Sequence, residues 1–380
     1  MSPVVAAAAG AVLVFVVALV WPRRRDGRER PDAVTASWAG PLSAFQIAVR
    51  VVAVALLALS IAAGRLGEDD ELENLAPALV VGVAWPLLFL VSVAVGPIWR
   101  WTDPWDAVAR ATAPSRTDLP GASVWPAALV ALAWVWYLSA YADTLSPRSV
   151  GAILALYTVF TVAGCLALGR ERWLSSAEPL GIALSWMALL PRRRLSDWSP
   201  PRGAEALLGV LAGGVLFGAI RRSELWGGLN AVDDATALAT FGVVVSSGVI
   251  AAMLVWFARQ ADHQGARGST ARAVVPAIAA IVLAVAMDRN RLTTSLQLLP
   301  GLLGDPFGRG WDLFGEAGVG LDPAPLGTTG LSVVQYGVLL TGHLAGAVVL
   351  ARGVDRGSRE PAALGLSLLT GASVMALVTH

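Results

Sequence analysis

Residues Phe45–Gly64 read FQIAVRVVAVALLALSIAAG, twenty residues carrying one charge, Arg50. A helix of twenty residues rises about 30 Å, the thickness of a bilayer's hydrocarbon core. Similar runs recur at 3–21, 76–98, 124–141, 150–168, 204–220, 235–257, 273–299, 331–350 and 362–378. The pattern predicts an all-α fold: a polytopic transmembrane helical bundle of about ten spans, one integral membrane domain over residues 1–380. Composition agrees, with 56% hydrophobic and 14% charged residues, against about 25% charged in soluble domains. The lipid bilayer is therefore the first partner. A net charge of +1 gives no footing for nucleic acid.

All 28 basic residues are arginines, and their placement predicts orientation. Arg23, Arg24 and Arg25 follow the first span, so the positive-inside rule puts the N-terminus outside and this cluster in the cytoplasm. Counting loops onward, 21 of the 28 arginines fall inside. Both termini are then extracytoplasmic in the plasma membrane of a bacterium. Arg221-Arg222 goes against the bias. Arg50 is expected to snorkel to the headgroups, and Trp99 to Trp105 to form an interfacial indole cluster. Pro86 predicts a kink in the third span.

One apolar run is too short to cross. Residues 179–190 would reach only about 18 Å as a helix and have arginines on both sides, which predicts an interfacial or re-entrant helix. In the span at 204–220, Gly209, Gly213, Gly214 and Gly218 have small-xxx-small spacing, which favours close helix contact. Gly342 and Gly346 do the same in the span at 331–350.

Polar groups among these spans mark where chemistry could sit. The helical pattern at 273–299 contains Asp288, Arg289 and Arg291, which lie below the surface if the helix is continuous and in the headgroup layer if it ends at Met287. Tyr336 and His343 are seven residues apart and share a helix face. The outer loop, 300–330, contains the run Gly304-Asp305-Pro306-Phe307-Gly308-Arg309-Gly310-Trp311-Asp312-Leu313-Phe314-Gly315. Its glycines and proline forbid a regular helix. Asp305, Arg309 and Asp312 can cross-brace a turn. Phe307, Trp311 and Phe314 are expected to pack on the outer ends of the 273–299 and 331–350 spans as an ordered lid. The candidate substrate-binding residues are thus Asp288, Arg289, Arg291, Asp305, Arg309, Trp311, Asp312, Tyr336 and His343.

Other signals are absent. The three histidines, His263, His343 and His380, are far apart, so no multi-histidine metal or haem site is expected, and no metal or cofactor is assigned. There is no Walker loop, Gly-x-Ser-x-Gly elbow or Cys-x-x-Cys, and no span carries paired carboxylates. Cys165 reads as a small core residue.

Several motifs together carry a resemblance: Asn74-Leu75-Ala76-Pro77, Trp99-Arg100 with Pro104-Trp105, Gly169-Arg170-Glu171-Arg172-Trp173, the run from Asp305 to Gly315, and Gly342-His343. From about Phe45 onward the chain resembles a bacterial polytopic membrane family labelled fenitrothion hydrolase-like. That label implies organophosphate ester hydrolysis. The chain departs from the family's pattern where relatives have histidines, at Asp288-Arg289-Asn290 and near Arg352, and an asparagine, at Asp103. Of any histidine site in relatives, His343 alone is retained.

Three functional readings follow. The first is a protein that binds or moves a small solute or ion through an outward-facing intramembrane cavity. The second is a membrane-embedded hydrolase-like enzyme with its site under the 304–315 loop. There Asp305, Asp312 or His343 would act as acid or base, and Arg289 or Arg309 would hold an anion. The third is a scaffold subunit with a partner in a membrane complex.

Overall fold

The structure, a computed structural model, describes residues 3–21, 43–113, 123–191, 195, 197–227, 235–287, 291–315, 321–322 and 325–378. Among these residues there are helices and no strands. The bundle is built from α1 (Pro3–Val20), α2 (Ala44–Leu66), a π-helix (Pro77–Ala84) running into α3 (Trp85–Ala94), and two short helices, α4 (Trp99–Thr102) and α5 (Pro104–Thr112). Next come α6 (Trp125–Ser139), α7 (Pro147–Leu168), and a second short pair, α8 (Arg170–Ser176) and α9 (Pro179–Met187). The second half comprises α10 (Ala204–Arg221), α11 (Glu224–Gly227), α12 (Ala235–His263), α13 (Ser269–Ala286), α14 (Arg291–Gly304), α15 (Gly327–Gly353) and α16 (Glu360–Val378). Among the described residues eight helical segments are long and apolar enough to cross a membrane, and two shorter apolar helices, at Val5–Val20 and Trp125–Ser139, accompany them. This is a multi-pass membrane protein.

Large apolar side chains point outward on the peripheral helices, for example Val51 on α2, Val159 on α7 and Phe241 on α12. In water such a surface would be a liability; against lipid tails it is the natural outer layer. The centre is formed by α10 and α13, each 83% buried across its apolar window. Glycine makes their packing possible. A Cβ on Gly213 would lie 2.5 Å from the Ser247 Cα of α12, and one on Gly214 would lie 2.4 Å from the Val135 side chain of α6. Gly342 and Gly346 of α15 play the same part against α13, where a Cβ would meet the Pro276 and Ala273 carbonyl oxygens at 2.6 and 2.2 Å. The small-residue spacing thus brings backbones together as expected.

The two ends of the bundle differ. At the loop end lie the C-terminus of α2, the N-terminus of α7 and the 305–315 run. At the opposite, arginine-rich end lie α4, α5, α8 and α9. There Arg359 is fully buried and donates to the carbonyls of Val354 (2.8 Å), Trp21 (3.0 Å), Leu19 (3.3 Å), Ala18 (3.4 Å) and Ala351. One cation therefore satisfies the orphan C-terminal carbonyls of both α1 and α15, where the helix dipoles favour positive charge.

Four points left open or coarse in the sequence are decided. The apolar pattern at 273–299 forms two helices, because α13 ends at Ala286 and α14 begins at Arg291. Residues 300–304, assigned to the outer loop, are the last turn of α14. The short run at 179–190 is a helix, α9, and seven of its nine residues are buried against neighbouring helices, so it enters the bundle, which fits the re-entrant form of the expectation and not the interfacial one. The third span is π-helical before Pro86, and the expected irregularity falls at the π-to-α junction. Pro86 has no N–H to give the preceding turn, and the Trp85 indole N–H bonds the Val81 carbonyl there at 2.9 Å.

Candidate functional site

Two constellations of polar side chains emerge, one at each end. At the loop end a cleft of about 390 Å³ opens among the α6–α7 connection, the end of α10 and the start of α14. Arg221, Arg222 and Arg291 line it, with Glu71, Asp143 and Tyr141. Arg221 is fixed by the C-terminal end of α6: its Nη1 donates to the Ser139 carbonyl at 3.0 Å and the Tyr141 carbonyl at 3.2 Å. The Arg222 Nη1 lies 3.6 Å from where a Gly218 Cβ would sit, so the missing side chain leaves room for the guanidinium. Below the cleft, a narrow extension of about 40 Å³ runs between Trp85, Pro86, Val135, Val215 and Val285. The mouth is charged and the floor is apolar. Among the described lining residues three guanidiniums and two carboxylates meet, and charge in a partly desolvated space attracts ions of opposite sign more strongly than in water.

At the arginine-rich end, Asp106 of α5 is fully buried. Its Oδ2 pairs with Arg50 of α2 and accepts from Arg110 Nε at 2.9 Å, while its Oδ1 accepts from Arg170 Nη1 of α8 at 2.5 Å. Arg50 also donates to the Arg100 carbonyl at 2.6 Å, and Arg170 also pairs with Glu171. Burial raises the Asp106 carboxyl's pKa, but the hydrogen bonds and charges of Arg110 and Arg50 outweigh it and hold the group below its ordinary value. Arg50 therefore does not snorkel: sequestering it with Asp106 ties α2 to α5. Trp99 and Trp105 are likewise buried, 5.8 Å apart, and only Trp101 of that cluster is exposed.

Two helix starts converge beside this knot, and both follow one local rule, an acid cap with proline at the first helical position. Asp103 caps α5, its Oδ1 accepting from the Trp105 and Asp106 N–H groups at 2.9 and 3.0 Å. Glu178 caps α9, accepting from the N–H of Leu180 at 3.1 Å and of Gly181 at 2.5 Å. It also accepts from the Tyr157 hydroxyl, halfway along α7, at 2.7 Å. Burial first, then the Glu178 and Asp106 charges, pushes the Asp103 carboxyl well above its ordinary pKa. Burial also raises Glu178, against the three hydrogen bonds it accepts. Two buried carboxyl groups, not visible along any one span, are therefore present at one end once α9 packs on α4, the helix that ends at Asp103.

The residues singled out from sequence distribute differently. Asp288 and Arg289 lie outside the described residues. Arg291 lines the cleft. The carboxylate of Asp305 accepts from the backbone N–H groups of Arg309 (3.0 Å), Gly310 (2.6 Å) and Trp311 (3.0 Å). Arg309 donates to the Leu66 carbonyl at 3.0 Å and lies over the Phe307 ring at 5.4 Å. The loop is thus braced by side-chain-to-backbone bonds and not by an Asp305–Arg309 ion pair. It is sewn to the 67–75 connection, with Glu68 N–H to the Phe307 carbonyl at 2.8 Å and Leu75 N–H to the Pro306 carbonyl at 3.2 Å. Phe307 packs with Ala63, Leu75, Ala78 and Leu302, on α2, the π-helix and α14, and not on α13 and α15. Trp311 and Phe314 remain 45% and 67% exposed, and neither Trp311 nor Asp312 lines the cleft.

His343 is fully buried in α15, its Nδ1 bonded to the Leu339 carbonyl at 2.8 Å. Tyr336, two turns earlier, is half-buried, and neither residue reaches the cleft. Asp103, Arg170 and Glu171, missed as site residues, share one signal: each sits in a short polar motif bordering an apolar run. Compared with known proteins, the chain matches no family model, no curated protein and no solved structure.

Proposed function

We propose that this multi-pass protein binds a small anionic solute in the cleft at the loop end, and that this end faces outward from a bacterial plasma membrane with both chain termini on the same side. The observation that carries the reading is the convergence of Arg221, Arg222 and Arg291 on one cleft, at the end where arginines are otherwise scarce. Guanidiniums supply forked donors for a carboxylate or phosphate. The apolar floor between Trp85 and Val215 suits a short apolar tail and closes the path below, so the cleft binds from one side. A solute bound there touches α6, α10 and α14 at once, which is the arrangement a solute-responsive or solute-moving bundle requires.

The test uses purified full-length protein in lipid nanodiscs with inorganic phosphate and acetate as probes, read by calorimetry and thermal stability. Saturable binding is expected, weakened at least tenfold in Arg222→Gln and in Arg291→Gln. Absence of saturable binding of either probe refutes the reading. Reporter fusions after Leu195 and at the C-terminus test orientation, with a cytoplasmic signal expected for the first and an external signal for the second.

A further inference from the structure

The anion cleft leaves the opposite end of the molecule unexplained. Asp103 and Glu178 are each buried to 1% exposure or less, brought together from residues 75 positions apart by the convergence of two capped helix starts. Their hydrogen bonds are unequal. Both oxygens of Glu178 accept from donors: Tyr157 Oη and Leu180 N on Oε1, Gly181 N on Oε2. That environment is built for a carboxylate ion. Asp103 accepts only through Oδ1, and its Oδ2 finds no protein partner.

The charges around the pair are named readily. Arg50 comes from α2, Asp106 and Arg110 from α5, Arg170 and Glu171 from α8, and the neutral Tyr157 and Cys165 from α7. Arg50, Arg110 and Arg170 are committed to Asp106, with Arg170 also on Glu171. Among the described residues four carboxyl groups therefore face three guanidiniums, and Arg50 acts on Asp103 only from its place on Asp106. A second group points the same way. The Trp99 indole N–H is buried without a partner and lies 2.9 Å from the point where a Gly181 Cβ would stand, a point 2.5 Å from Glu178 Oε2. Gly181 thus keeps space open between the indole donor and the carboxylate.

We propose that Asp103 is a proton-binding site, carrying the proton on Oδ2 beside an ionised Glu178, and that its occupancy is linked to the packing of α9 against α4, the helix that ends at Asp103. With that proton the cluster is electrically neutral. Without it, two carboxylates face each other away from water, and like charges at close range cannot both ionise without cost. Loss of the proton from Oδ2 to water therefore drives the start of α9 away from the α4–α5 corner at Asp103, and recapture brings it back. α5 packs against α7, and α9 against α3, which borders the floor of the cleft through Trp85 and Pro86, so the movement has a route to the other end.

The experiment is infrared difference spectroscopy on the full-length protein in lipid, titrated from neutral to alkaline pH. A protonated-carboxyl C=O band is expected at neutral pH, lost on alkalinisation, absent in Asp103→Asn and retained in Glu178→Gln. Should either variant fail to fold, the unmodified protein grown with heavy-carbon aspartate answers the same question, because the band must shift with aspartate label and stay put with glutamate label. No protonated-carboxyl band at neutral pH, or a band that follows the glutamate label, overturns the proposal.

Discussion

Replacing Asp106 by alanine tests the buried charge knot most directly. The substitution strips Arg50 and Arg170 of their shared carboxylate; these side chains are 4% and 6% exposed. Each would then be a nearly buried cation, Arg50 keeping the Arg100 carbonyl and Arg170 keeping Glu171. Removing one partner of a buried pair typically costs about 3–5 kcal/mol, because the remaining charge stays desolvated. The Arg110 link adds little, since that side chain is 24% exposed and such pairs contribute about 0–1 kcal/mol. Asp106→Ala is therefore expected to lose about 3–5 kcal/mol, and Arg110→Ala less than about 1 kcal/mol. Denaturation of the full chain in mixed micelles, followed by tryptophan emission, is well placed to read this because Trp99 and Trp105 sit beside the knot. The double variant Asp106→Leu, Arg50→Leu should cost less than the sum of its parts, since it removes one of the two nearly buried cations that Asp106→Leu alone leaves behind, and the other, Arg170, keeps Glu171. If Asp106→Ala lies within about 0.5 kcal/mol of the unmodified protein, a level typical of surface changes, the three guanidiniums are solvated and the account of this end is wrong.

Three further outcomes follow from the geometry. Gly213→Leu should block insertion or assembly, because its side chain would meet the Ser246 carbonyl oxygen at 2.6 Å. Gly248→Ala, with nothing within 4 Å of its Cβ, should be neutral or stabilise by up to about 1 kcal/mol through helix propensity, both read as yield and thermal stability. In the 305–315 loop, Asp305→Ala should speed proteolysis between Gly304 and Gly315 more than Trp311→Ala, because it removes the acceptor of three backbone N–H groups; equal rates would show that aromatic packing holds the loop. Stability should depend on pH in two opposed ways. Asp106, with its folded pKa lowered, stabilises above the unfolded carboxyl value of about 4 and loses that contribution as pH falls through the folded value. Asp103, raised in the fold, does the reverse: the folded state binds the proton more tightly, so stability falls as pH rises from about 4 towards the folded value. Asp103→Asn should flatten that alkaline decline, and an unchanged decline in the variant would assign it to another group.

The multi-pass helical bundle was legible along the chain because a bilayer imposes a length and an apolarity on each crossing, and both are local properties. So were the glycine contacts: Gly213 and Gly342 announce close approach by spacing alone, although only the structure says that the partners are α12 and α13. Local chemistry also predicted the irregular 305–315 run. The break in the pattern at 273–299 was not decided locally, since the same residues read equally well as one long helix. Tertiary structure settled what the charged residues do. Arg50 looked like a lipid anchor because a lone arginine near a span's end can snorkel, yet α5 places Asp106 against it. Arg221-Arg222 looked like an exception to the charge bias until the ends of α6 and α10 and the start of α14 closed around a cleft. Asp103 and Glu178 each belong to an unremarkable acid-proline pair, and neither predicts the other. Their meeting depends on α5 and α9 entering the bundle from separate connections. Spacing along a chain records which groups share a helix face, but desolvation and charge pairing are set by which helices come together.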